Sequence, residues 1–65
     1  MRTMHYKGYF LMFEWQHNGI VAVADNDNDR FRYLFCNDGI TYAIKKMKEL
    51  CTYRLSNNIK EGYTL

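Results

Sequence analysis

Proline is absent from this chain, and glycine occurs only four times in 65 residues. Those scarcities exclude collagen-like and Pro- or Gly-rich disordered classes. Cysteine occurs twice, at Cys36 and Cys51, too few for the disulfide scaffold of a small secreted domain. Both thiols read as reduced, partly buried small hydrophobes. Neither belongs to a C-x-x-C pair or has a histidine at metal-ligand spacing. Charge of one sign is also scarce: the net charge is +2, whereas a dedicated nucleic-acid binder carries a strong basic stripe. No apolar run approaches the roughly 18 residues of a membrane helix. The segment 1–7 lacks the apolar stretch of a signal peptide, so a cytoplasmic location is expected.

What the chain does have is aromatic bulk. Six Tyr, four Phe and Trp15 make 17% of the residues. A domain of this length buries only about 60% of its unfolded surface, and large rings supply much buried area per residue. One domain is expected over residues 1–65.

The apolar pattern places a first strand over residues 6–16. Asn18-Gly19 follows, a dipeptide that favours a two-residue hairpin loop. That loop sets His17 against Ile20, Trp15 against Ala22, Phe13 against Ala24 and Glu14 against Val23, so large rings meet small alanines. The Asp25-Asn26-Asp27-Asn28-Asp29 run consists of turn formers and reads as a solvated turn. A third strand over residues 30–36 pairs Asp25 with Arg30, Ala24 with Phe31, Ala22 with Tyr33 and Ile20 with Phe35. Tyr9, Leu11, Phe13, Trp15, Ile20, Ala22, Ala24, Phe31, Tyr33 and Phe35 then share one core face, with Phe13 and Trp15 as its anchors.

Asn37-Asp38-Gly39 ends the strand and supplies a helix N-cap. Ile40, Ala43, Ile44, Met47, Leu50, Cys51 and Leu55 recur at three- and four-residue steps, which predicts a helix over residues 39–55. The expected fold class is α+β: a three-stranded antiparallel meander with one C-terminal helix packed on its aromatic face. Residues 59–65 offer a short extra strand or an end.

No constellation points to chemistry. Asp25, Asp27 and Asp29 match the first ligand positions of a calcium-binding EF-hand loop, but Arg30 stands where glycine is required and Cys36 where glutamate is. No metal and no cofactor is therefore expected. A Cys36 or Cys51 nucleophile paired with His5 or His17 would need an orienting group and an oxyanion hole, and nothing in the sequence points to them. Glu14 has Arg32 as its cross-sheet neighbour and reads as half of a surface ion pair. No enzyme and no small-molecule substrate is expected.

The second sheet face is more informative. The same alternation gathers Phe10, Met12, Val21, Val23 and Leu34 there, bordered by Glu14, Gln16, Arg30 and Arg32. One helix cannot cover both faces of a sheet. An exposed apolar patch with a polar rim marks an interaction surface, unless Ile59, Tyr63 and Leu65 fold back over it. Phe10, Met12, Val21, Val23, Arg32 and Leu34 are the expected partner-binding residues, in a homodimer or a small inhibitor or adaptor of a larger protein. The alternative is a small nucleic-acid-binding domain using Lys7, Arg30, Arg32 and Lys45, with aromatic rings as stacking platforms.

The order strand-strand-strand-helix over residues 6–55 resembles the DNA-binding domain at the N-terminus of some phage integrases and the small HicB-type antitoxin domain. The resemblance is one of element order. Asn37-Asp38-Gly39 lacks the Pro-Gly segment of the HicB-type turn, and the outer face is apolar where the integrase-type face is basic. It assigns no residue a role. The short, aromatic-rich chain also resembles small open reading frames of phages and mobile elements.

Overall fold

The computed structural model describes residues 1–57. In chain order it contains β1 (Arg2–Tyr6), β2 (Tyr9–Gln16), β3 (Gly19–Asp25), β4 (Arg30–Phe35) and α1 (Ile40–Ser56). The strands form one antiparallel sheet in the order β1-β2-β3-β4, with α1 packed on one face. The α+β class is as expected, but the sheet has four strands, not three. The element order on which the integrase-like and HicB-like resemblance rests changes with it. Residues 59–65, and with them the extra strand and the cover by Ile59, Tyr63 and Leu65, lie outside the described residues. No helix among the described residues is long and apolar enough to cross a membrane.

The fourth strand comes from dividing the N-terminal stretch. Lys7 (φ 49°) and Gly8 (φ 86°) both take left-handed backbone conformations and turn the chain between Tyr6 and Tyr9. A two-residue hairpin loop with φ > 0 at both positions matches the twist of the strands it joins. Arg2 to Tyr6 therefore pairs with Phe13 to Tyr9 instead of preceding a single long strand.

The second turn also differs from expectation. Gln16 pairs with Gly19, so His17 and Asn18 form the loop and Gly19 opens β3. Phe13 lies opposite Ala22, not Ala24, and Leu11 takes the place opposite Ala24. A slip of two residues preserves the faces, because side chains alternate with period two. The β3–β4 register is the expected one, with Ile20 opposite Phe35 and Asp25 opposite Arg30.

The core gathers Tyr9, Leu11, Phe13, Ile20, Ala22, Ala24 and Phe35 from the sheet, with Ala43, Met47 and Cys51 from the helix. Each fully buried Leu, Phe or Met side chain contributes about 1.5–3 kcal/mol. Trp15 shares the core face by alternation but is 53% exposed, which corrects its expected role as an anchor. Tyr33 is likewise half exposed. The helix presses Ala43, Met47, Cys51 and Arg54 inward. Trp15, at the far end of β2, instead borders an open cleft of about 560 Å³ with Gly19, Cys36 and Ile40. The N-cap is Gly39 and receives no side-chain hydrogen bond, so Asn37 and Asp38 do not cap the helix.

Candidate functional site

The outer sheet face is built from rows of paired residues. Met12, Val23 and Arg32 lie side by side on β2, β3 and β4, as do Glu14, Val21 and Leu34. Phe10, Asp25 and Arg30 form the row on the other flank, with His5 of β1 opposite Phe10. The His5 and Phe10 rings pack at 5.0 Å between centroids. Phe10, Met12, Val21, Val23, Arg32 and Leu34 are thus brought together on one face. Phe10 is 36% exposed and Leu34 45%, while Met12, Val21 and Val23 are half-buried between their neighbours. Among the described residues the helix lies on the opposite face. The two-residue slip moves Glu14 away from the Arg32 row, and no ion pair joins them.

The candidate nucleic-acid residues do not come together. Arg30 and Arg32 stand on the outer face of β4. Lys7 sits in the β1–β2 turn with its Nζ 5.7 Å from the Tyr6 ring centroid. Lys45 lies on α1 and lines a groove with Tyr6 and Lys48. Tyr6 pairs with Tyr9 and so belongs to the helix-facing side. The arginines and lysines therefore occupy opposite faces.

A buried polar cluster is not legible as such in the sequence. Asp29, expected in a solvated turn, is 2% exposed. Asn26 folds the loop around it: its Oδ1 accepts the backbone N–H of Asn28 (2.8 Å) and of Asp29 (2.6 Å). Arg54 donates from Nε to Asp29 Oδ2 (2.6 Å) and from Nη2 to Oδ1 (2.7 Å), a two-pronged pair. The Tyr9 hydroxyl donates to Asp29 Oδ2 at 2.6 Å. The Arg54 guanidinium also lies 4.4 Å from the Phe31 ring centroid, and Phe31 meets Tyr9 edge-on at 5.9 Å. The cluster ties the last turns of α1 to β2 and to the β3–β4 loop. The one sequence signal for it is a charged residue, Arg54, in step with Met47, Leu50 and Cys51 on an apolar stripe.

The electrostatics follow from the contacts. The Arg54 hydrogen bonds hold the Asp29 carboxyl below its ordinary range, and Asp29 in turn raises Arg54. Burial, reinforced by the bond to Asp29, pushes the Tyr9 phenol well above its usual range. Burial also pushes the Cys51 thiol up to about 11, so it is neutral and unreactive at physiological pH. With three donors on its carboxylate, Asp29 is committed to Tyr9 and Arg54. Among the described residues no group of three or more His, Cys, Asp or Glu is placed to hold a metal ion. Both cysteines are free, Cys36 exposed and Cys51 buried.

No protein-family model, no curated protein and no solved structure matches this chain.

Proposed function

We propose that this chain is a cytoplasmic, non-enzymatic interaction module that associates through its outer sheet face with a second copy of itself. The observation that carries this reading is the row pattern of Phe10, Met12, Val21, Val23 and Leu34 on the face away from α1. The rim favours a like partner. Glu14 and Asp25 stand on it together with Arg30 and Arg32, so the face carries equal numbers of opposite charges. A two-fold dimer uses one patch on both subunits and needs that self-complementarity. The exposed Cys36 thiol fits a reducing compartment.

Light scattering on the parent chain and on Val23→Lys tests the reading. Val23 lies on a central strand in the middle of the patch. The parent should show a mass near twice 7.9 kDa, and Val23→Lys should remain folded at the monomer mass. A parent that stays monomeric at millimolar concentration defeats the dimer. The face would then serve as an inhibitor or adaptor surface for a larger protein if Val23→Lys abolishes capture of that protein. The nucleic-acid reading requires binding that weakens steeply with salt; the separation of Arg30 and Arg32 from Lys7 and Lys45 weighs against it.

A further inference from the structure

We infer that the outer edge of β1 accepts an extended acidic peptide as an added strand, its carboxylates held by Lys7, Lys45 and Lys48. β1 is one of the two terminal strands of the sheet, so its outward backbone groups meet no other described strand. Such an edge is a template for strand addition. On the helix side of that edge lies a groove of about 540 Å³, bounded by Tyr6, Ile44, Lys45, Lys48, Glu49 and Thr52. The Tyr6 hydroxyl is hydrogen-bonded with Thr52 Oγ1 at 3.1 Å, which fixes the ring between β1 and α1.

Two ammonium groups flank that ring, Lys48 Nζ at 5.4 Å and Lys7 Nζ at 5.7 Å from its centroid. Among the described residues the ammonium groups of Lys7, Lys45 and Lys48 form no ion pair and no hydrogen bond, and Glu49, on the same groove, is within ion-pair distance of none of them. Like charges gathered over an apolar floor of Tyr6 and Ile44 repel one another, and an anion laid along the floor relieves that repulsion. A strand added to β1 sends every second side chain to the helix side. Glutamates at those alternate positions would rest their stems on Tyr6 and Ile44 and present carboxylates to the lysines. The occupant is therefore a peptide with acidic residues at every second position. This surface is separate from the outer face, and the inference does not rest on self-association.

The full-length chain, titrated with a capped seven-residue peptide of alternating Thr and Glu, provides the test. Saturable binding is expected, with amide shifts confined to β1 and to the side of α1 carrying Lys45 and Lys48. A Lys45→Glu/Lys48→Glu variant that melts as the parent does should lose affinity on the order of tenfold, with the loss growing at low salt. The same peptide with Lys in place of Glu should not bind, and Val23→Lys should bind as the parent does. Any one of four results overturns the inference: no saturation at millimolar peptide, equal binding of the lysine peptide, shifts on the outer face, or displacement by oligothymidylate at lower concentration than the acidic peptide. The last would assign the groove to phosphates.

Discussion

Asp29 accepts hydrogen bonds from Tyr9 and Arg54 in a site shielded from water. Asp29→Asn keeps the shape but takes the Asp29 charge out of its pair with Arg54. Removing one partner of a buried pair costs about 3–5 kcal/mol, much of the stability of a domain this small. Chemical denaturation should therefore show the Asp29→Asn variant largely unfolded or sharply weakened. The same contact sets an acid limit. Because the folded-state value of Asp29 lies below its ordinary 3.8, its contribution is present above that value and is lost as pH falls through the lower folded value. The parent's melting temperature should fall steeply below about pH 4, more steeply than that of Asp29→Asn. A second pair of residues separates alternation from cover. Phe13→Ala should cost about 3–5 kcal/mol, whereas Trp15→Ala should cost about 1 kcal/mol, since half of that ring is already in water. Iodide should quench the fluorescence of Trp15 in the folded protein. Alternation assigns both rings to one face; which of them the helix covers depends on where α1 starts and ends, a tertiary fact that period-two patterning does not carry.

Turns decide where the elements begin. Lys7-Gly8 is hard to read as a turn because lysine rarely adopts positive φ, and the apolar residues on either side form one continuous strand pattern. Asn18-Gly19 is a visible signal that the fold uses differently: Gly19 is the first residue of β3, at φ 155°, and a Cβ there would collide with the backbone carbonyl oxygen of Phe35. The dipeptide serves close approach of two strands rather than a loop with both residues left-handed. The two glycines therefore respond differently to alanine. Gly8→Ala meets no atom within 4 Å and carries only the left-handed strain, about 1–2 kcal/mol. Gly19→Ala adds the collision with Phe35 and must push β4 away from the start of β3. In urea titrations Gly19→Ala should be the more destabilised of the two, and its largest amide shifts should fall at Phe35 and Cys36. Equal stability of the two variants would mean that the close approach at Gly19 relaxes without cost. The helix is legible from its three- and four-residue steps, and the outer face from alternation alone. Both survive the errors in turn placement because a two-residue slip leaves parity intact.

At the scale of the whole molecule the described residues form two layers, sheet and helix, with a least extent of 16 Å. Among the described residues these two layers enclose one inner face, and the sequence fills both faces of the sheet with apolar groups. An uncovered apolar face favours association in proportion to its area, roughly 25 cal/mol per Å² before the costs of immobilising two bodies. A standard interface takes about 800 Å² from each partner, against a total surface of 4640 Å². Self-association at that face would couple folding to concentration by mass action, because a dimer partner is a ligand of the folded state alone. The melting temperature of the parent should rise as its concentration is raised, while that of Val23→Lys should stay flat. Glu14→Lys changes the rim from balanced to basic without touching the apolar rows. It should shift the onset of the concentration dependence to higher protein and make it sensitive to salt, since like charges then oppose each other across the two-fold. A melting temperature independent of concentration in the parent, with a monomer mass throughout, would place stability wholly within the single chain and leave the outer face to a partner of different sequence.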